Sequence, residues 1–226
     1  MSEVKLMLGD CLEVMRDIPD GSVDLTVTSP PYDNLRAYNG NNSQWGKHVW
    51  KEVINDLYRV TIKGGVVVWI VGDSTVNGSE TGTSFEQALW AKYCGFNLHD
   101  TMIWNKRCFS AVGSLKARYA PVFEYMFVFS KGKPKSFNPI KDRRNKHYRG
   151  TIHGTLRKQD GGTKPVSGGN KKTIKEFGQR FNIWEIFPHR QRGEKTHPAP
   201  FPQQLAQDHI ISWSNEGDTI LDPFMG

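Results

Sequence analysis

The sequence predicts an α/β fold built on a mostly parallel sheet, and three observations carry that prediction. Strand-like and helix-like segments alternate along most of the 226 residues. Val66 to Val71, VVVWIV, is an unbroken apolar run, the pattern of a parallel strand buried on both faces. Polar residues also close several strand-like segments: Asp10, Ser29 to Tyr32, Asp73 and Asp222. In open parallel sheets ligands sit beyond those strand ends.

Taken in order, residues 4–8, VKLML, read as a short buried strand that ends at Gly9-Asp10. Residues 11–18 read as a helix with Leu12, Met15 and Ile18 on one side. Val23 to Thr28 is the next strand and runs directly into Ser29-Pro30-Pro31-Tyr32. Residues 45–62 place Trp50, Val53, Ile54, Leu57 and Val60 on one helical face, and Lys63-Gly64-Gly65 is expected to end that helix. A helix over 84–94 stops before Gly95. Residues 98–104 and 122–129 are strand-like, a helix covers 201–213, and Thr219 to Asp222 is the last strand. Between them, from Lys131 to about Arg180, periodicity is lost and Gly, Lys, Arg, Asn and Thr dominate. This divides the chain into a core over 1–131, an insert over 132–185 and a returning core segment over 186–226.

Composition narrows the class. Apolar residues make up 37% of the chain and charged residues 23%, enough for a soluble core. No run approaches the roughly 18 apolar residues that span a bilayer, and no secretion signal is expected from MSEVKLMLGD. Cys11, Cys94 and Cys108 lie far apart without CxxC spacing, which argues against a metal site or disulfides and favours a reducing, cytoplasmic compartment. The net charge of +7 is unevenly spread. Lys131 to Lys195 holds 18 Lys and Arg against 5 Asp and Glu, while the rest has 12 against 18. The basic excess therefore lies in the insert, as a phosphate-neutralising surface requires, although a solvated basic loop has the same composition.

The segment Asp24-Leu-Thr-Val-Thr-Ser-Pro-Pro-Tyr32 carries the chemistry. Two prolines after a buried strand fix an extended turn. The Ser29 side chain and the Pro30 carbonyl then stand at the sheet edge as acceptors, with Tyr32 as a flat face beside them. That set suits a planar ligand with an exocyclic amino group, whose hydrogens the acceptors bind while its ring stacks on Tyr32.

This segment resembles the catalytic motif of the amino-methylating DNA methyltransferases, in which Asp, Asn or Ser precedes Pro-Pro and an aromatic. Leu8 to Met15, Ile18 to Asp24, Gly64-Gly65 and Glu124 to Lys131 are similar to other stretches of that family. So are His197 to Pro202 with Leu205-Ala206, and Gly217-Asp-Thr-Ile-Leu-Asp-Pro-Phe-Met-Gly226 resembles the opening of its glycine-rich S-adenosylmethionine loop. The catalytic motif precedes the glycine loop, which is the permuted β-type order. The resemblance implies a Rossmann-like S-adenosylmethionine-dependent methyltransferase fold with Ser29, Pro30, Pro31 and Tyr32 as catalytic residues. It implies a cofactor side made by Asp10 and Cys11, by His197 and Pro198, and by Asp222, Pro223, Phe224 and Gly226. Asp10 also suits a helix N-cap. The insert corresponds to the family's target-recognition region, with Arg143, Arg144, Lys146, Arg149, Arg157 and Lys158 as candidate DNA contacts.

The family pattern continues past Phe-x-Gly into a further turn, helix and strand. Their absence after Gly226 makes a fold incomplete at its C-terminal end the expectation, either a fragment or a decayed gene product. The expected reaction is methyl transfer from S-adenosylmethionine to N4 of cytosine in double-stranded DNA, favoured by Ser at position 29. N6 of adenine is the alternative, and an inactive DNA-binding remnant is a third reading. Attack on cytosine C5 would need a Pro-Cys nucleophile, and a nicotinamide enzyme would need GxGxxG; neither is present. A bacterial or phage source and the cytoplasm are expected, with a homodimer open.

Overall fold

The computed structural model describes residues 3–32, 45–109, 115, 117–152, 154–166, 172–188 and 202–225. In chain order its elements begin with α1 (Cys11–Arg16), β1 (Val23–Thr28), α2 (Lys47–Val60) and β2 (Thr61–Val71). A small hairpin of β3 (Thr75–Val76) and β4 (Ser79–Glu80) follows, then α3 (Thr83–Cys94), β5 (Asn97–Asn105) and β6 (Phe123–Ser130). Short strands β7 (Arg143–Arg144), β8 (Thr155–Arg157), β9 (Thr163–Pro165) and β10 (Phe177–Gly178) precede β11 (Ile183–Glu185), α4 (Gln203–Trp213) and β12 (Ile220–Leu221).

One sheet of six strands, ordered β11-β5-β6-β2-β1-β12, organises the fold. The pairs β1/β12, β1/β2 and β11/β5 are parallel, and β6 pairs antiparallel with both β2 and β5. A single strand, β6, therefore runs against the other five, and the sheet is mostly parallel. The apolar run of β2 is buried throughout, as a strand covered on both faces must be. Its alternate side chains feed two cores. Val67, Trp69 and Val71 join Trp50, Val53, Ile54, Leu57 and Val60 of α2 on one face. Val66, Val68 and Ile70 meet Leu205 and Trp213 of α4 on the other. The Trp69 indole N–H, buried in the first core, donates to Gln87 Oε1 of α3 at 2.8 Å.

Two readings of local pattern need correction. Residues 4–8 form no strand: Val4, Leu6 and Leu8 are exposed, and the segment pairs with nothing among the described residues. An apolar stretch becomes a strand only where a neighbour takes its backbone hydrogen bonds. Lys63-Gly64-Gly65 does not end α2; the helix stops at Val60 and these residues lie inside β2. There they form a bulge, since Val23 pairs with Thr61 but Leu25 pairs with Val66. Gly64 takes φ +85°, and its N–H donates to the Lys131 carbonyl at 2.7 Å. A Cβ at Gly65 would sit 2.6 Å from Thr61 Cγ2 and 3.0 Å from the Asp24 carbonyl oxygen.

The chain divides into two compact units, one of Met1–Asn138 with Asn182–Gly226 and one of Pro139–Phe181. In the second, β7 pairs with β10 and β8 with β9, both antiparallel, and Thr151 bridges Thr173. Arg180 Nε donates to Asp142 Oδ2 at 2.8 Å, an ion pair that holds the Asp142 carboxyl below its ordinary range.

Gly65→Ala forces a methyl group into the bulge and is expected to cost about 1–3 kcal/mol, as overpacking does. Urea unfolding followed by tryptophan fluorescence should show a lower midpoint; an unchanged midpoint would mean that the bulge yields freely.

Candidate active site

Because β1, β2, β5 and β12 run the same way, the residues that follow them gather at one end of the sheet. Antiparallel β6 begins there, with Glu124 opposite Trp104 of β5. The gathered residues are Ser29 to Tyr32 after β1, Gly72-Asp73 after β2, Lys106 after β5, Asp222 to Phe224 after β12, and Glu124.

A hydrogen-bonded chain links four of them. Ser29 Oγ donates to the Tyr32 hydroxyl oxygen at 3.0 Å, and the Tyr32 hydroxyl donates to Glu124 Oε2 at 2.7 Å. Lys106 Nζ donates to Glu124 Oε1 at 2.8 Å, with both side chains largely buried. Ser29 and Tyr32 are half-buried and Pro30 is buried. Gly72 lies beside both groups: a Cβ there would sit in ordinary van der Waals contact, 3.6 Å from the Tyr32 ring and 3.5 Å from Glu124 Cγ. The motif Ser29-Pro30-Pro31-Tyr32 is thus anchored through its aromatic hydroxyl to the start of β6.

Asp222 adjoins this chain through β1. Thr28 Oγ1, fully buried, donates to Asp222 Oδ1 at 2.6 Å, and the Phe224 N–H donates to the same oxygen at 3.0 Å. The Phe224 ring stands edge-on to Trp45 and Trp69, with centroids at 5.4 and 6.2 Å. At the other end of β12, Asp24 Oδ2 accepts the Thr219 N–H at 2.7 Å, and Lys135 Nζ bridges Asp24 and Asp218 at 2.6 and 2.8 Å. Hydrogen bonds to Asp218 and then Asp24 hold the Lys135 ammonium above its ordinary range.

The remaining candidates divide. Asp10 caps α1, its Oδ1 accepting the Leu12 N–H at 2.9 Å. Burial, helped by the Asp10 charge, pushes the Cys11 thiol up to about 11, so it is neutral at physiological pH and packs against the α2-side core. Pro223 lies in the turn between Asp222 and Phe224. His197, Pro198 and Gly226 lie outside the described residues. Asp73 is taken up by α3, accepting the Ser84 N–H at 2.9 Å. In the Pro139–Phe181 unit, Arg143 donates to the Gln179 carbonyl at 2.9 Å and lies over the Phe181 ring, and Arg144 pairs with Glu176 at 3.5 Å. Lys146, Arg149, Arg157 and Lys158 are exposed and meet no carboxylate among the described residues.

Glu124 and Lys106 were not singled out as site residues from the sequence. The available signal was the charge of Glu124 within the otherwise apolar Phe123-Glu-Tyr-Met-Phe-Val-Phe129, since an acid on a buried strand needs a partner.

Comparison with known proteins identifies the family and the fold. The N6/N4 DNA methylase family model matches residues 23–226. The chain is 54% identical over 217 residues to the orphan methyltransferase M.BamHII of Bacillus amyloliquefaciens, covering 93% of this chain and 78% of that protein. Among solved structures it resembles the cytosine-N4-specific PvuII DNA methyltransferase with a TM-score of 0.66 and 18% identity, over 95% of this chain and 72% of that one. A Thermus thermophilus protein in complex with S-adenosyl-L-methionine gives a TM-score of 0.58 at 25% identity, over 97% and 79%.

Thr28 and Thr26 allow a paired test of the β1–β12 junction. Thr28→Val removes the donor to Asp222 and is expected to cost about 1.5–3 kcal/mol, the range for hydrogen bonds to charged groups. Thr26 is equally buried, but its Oγ1 has no partner among the described residues. Thr26→Val should therefore be neutral or stabilising. Denaturant midpoints of the two variants should move apart, and equal losses would contradict the assignment.

Proposed function

The chain belongs to the DNA methylase family and has its Rossmann-like α/β fold, and from that membership we propose that it methylates the exocyclic amino group of a base in double-stranded DNA, with N4 of cytosine as the target. The observation that carries the reading is the convergence of Ser29-Pro30-Pro31-Tyr32 and Asp222 at the ends of two adjacent parallel strands. S-adenosylmethionine, when bound, supplies an electrophilic methyl group on its sulfonium. The residues at the strand ends fit such a cofactor by their chemistry: Asp222 offers a carboxylate beside the catalytic turn, and Phe224 an apolar flank already packed on Trp45 and Trp69. Asp10 and Cys11 are the residues proposed for its other end, and His197, Pro198, Pro223 and Gly226 complete the proposed set.

The acceptors at the turn act on the target nitrogen. An amino group conjugated with a ring is a poor nucleophile. Hydrogen bonds from its two hydrogens to Ser29 Oγ and the Pro30 carbonyl draw it toward tetrahedral geometry and localise its lone pair. Tyr32 offers the flipped base a stacking face. The base must leave the duplex to reach this edge, at a cost of a few kcal/mol, and stacking offsets part of it. Ser rather than Asp at position 29 favours cytosine. The exposed cations of the Pro139–Phe181 unit, Lys146, Arg149, Arg157 and Lys158, are proposed to meet phosphates, with Arg143 and Arg144 more committed to their own unit. The setting is the bacterial cytoplasm.

A second reading, DNA binding without methyl transfer, is favoured by residues 4–8 just before Asp10, which are exposed and pair with no strand among the described residues. Calorimetry separates the two: heat of binding on titration with S-adenosylmethionine supports transfer, and its absence with DNA binding intact supports the second reading.

Treated DNA, digested to nucleosides and analysed by mass spectrometry, should contain N4-methylcytosine, and mapping the methylated positions identifies the recognition site. N6-methyladenine as the sole product would overturn the choice of base. Tyr32→Ala should weaken the reaction by at least the ~1–3 kcal/mol that base–aromatic stacking contributes. Because it removes the donor to Glu124, it should also lower stability by about 1.5–3 kcal/mol. Neutralising Lys146, Arg149, Arg157 and Lys158 together should weaken DNA binding and flatten its salt dependence by about 0.9 in slope for each phosphate no longer neutralised. Salt-independent binding by the parent chain would refute a phosphate-binding role.

A further inference from the structure

Ser29 is a hydroxyl, and a hydroxyl can donate or accept. A site that must bind an amino group needs it to accept only. In a free Ser-Pro-Pro-Tyr turn nothing decides this, because a serine and a tyrosine hydroxyl can point their hydrogens either way along their shared bond. The decision is made one residue further on. An ionised carboxylate has no proton to give, so Glu124 Oε2, at 2.7 Å, can only accept from the Tyr32 hydroxyl. Lys106 at 2.8 Å on Oε1 compensates the charge of this largely buried acid. With its hydrogen given to Glu124, the Tyr32 oxygen presents lone pairs alone toward Ser29, so the Ser29 hydroxyl must donate to it, as its 3.0 Å contact allows. What Ser29 then has left for a ligand is two lone pairs.

Resting on the methyltransferase reading above, we propose that Glu124 is a positioning and specificity residue that fixes the hydrogen-bond polarity of Ser29 through Tyr32. Ser29 becomes an obligate acceptor at the place where the exocyclic group of the base arrives. A base with an amino group there donates to it. A base with a carbonyl there, as in uracil or thymine, brings lone pairs against lone pairs. Discrimination between an amino base and its deaminated counterpart is thus set by a carboxylate that does not touch the substrate.

The test replaces the carboxylate without changing its shape. A Glu124→Gln amide can donate to the Tyr32 oxygen, which releases the Tyr32 hydrogen toward Ser29 and the Ser29 hydrogen toward the ligand. Equilibrium binding is measured on duplexes of the mapped recognition sequence carrying cytosine or uracil at the target position, each opposite an abasic site so that base pairing does not contribute. The parent chain is expected to prefer cytosine by about 10-fold or more, the scale of one mismatched polar contact. Glu124→Gln should reduce that preference by about 10-fold and lower kcat while leaving the KM for S-adenosylmethionine unchanged. Tyr32→Phe keeps the ring and removes the link, so it should reduce the preference equally and serves as the test if the Gln variant does not fold. The double variant should lose no more than either single one, because both act through one chain. An unchanged cytosine preference in Glu124→Gln or Tyr32→Phe, or additive losses in the double variant, would overturn the proposal. If the parent chain methylates no amino group at all, it is the underlying reading that fails, and this proposal falls with it.

Discussion

Strand β12 is only two residues long, and carboxylates fix its place beside β1 at both ends. Asp24, on β1, accepts the Thr219 N–H and shares Lys135 with Asp218; Asp222 accepts from Thr28 beyond the other end. The site depends on this double clamp. Two ladder residues, Leu25 with Ile220 and Thr26 with Leu221, would hold such a short strand poorly. Charge-assisted hydrogen bonds across nearly the whole sequence separation make up the difference. They bring the Ser-Pro-Pro-Tyr turn and the Asp-Pro-Phe turn to the same edge, although 190 residues of chain separate Asp222 from Tyr32. The Gly64-Gly65 bulge serves the same junction, since only a residue without Cβ leaves room at the Asp24 carbonyl as β1 passes β2.

How much of this could be read from the sequence depends on whether the information was local. The buried face of α2 and the apolar run of β2 were legible because periodicity alone specifies them. The place of the Ser29–Tyr32 turn at a strand end was legible because it follows a buried strand directly. Its proposed catalytic role came instead from resemblance to a family, since Ser-Pro-Pro-Tyr alone is a common turn. Residues 4–8 misled because alternation and apolarity describe a strand's side chains and say nothing about its neighbour. Lys63-Gly64-Gly65 misled for a related reason: glycine after a helical face marks a helix end in most settings, and the close approach of Asp24 that makes it a bulge is a tertiary fact. The role of Asp73 was ambiguous in the same way, since an acid at a strand end can face a ligand or, as here, cap the next helix at Ser84.

Glu124 and Lys106 escaped for a different reason. Neither is unusual by composition, and their significance lies in register. Antiparallel pairing sets Glu124 opposite Trp104, which puts its carboxylate within reach of both Lys106 and the turn after β1. Shifting β6 by one residue would send the side chain to the opposite face of the sheet. An isolated acid in an apolar strand therefore says that a partner exists without saying which, and the partner is found only once the strand order is known.

The same register explains why a tyrosine closes the motif. A phenylalanine would stack on a base as well, but its ring would be held at one end only, by the backbone turn of Pro30 and Pro31. Tyr32 is held at both ends, by the turn on one side and by its hydroxyl bonded to Glu124 on the other. In the proposed reaction, a platform fixed at two points would lose less freedom when a base settles on it, so more of the stacking energy would remain to offset extrusion of the base from the duplex. Extrusion costs a few kcal/mol and stacking returns about one to three, so the two nearly balance. In such a balance the entropy saved by anchoring one aromatic ring, up to about 1.5 kcal/mol, would shift the population of the proposed flipped state by up to about tenfold.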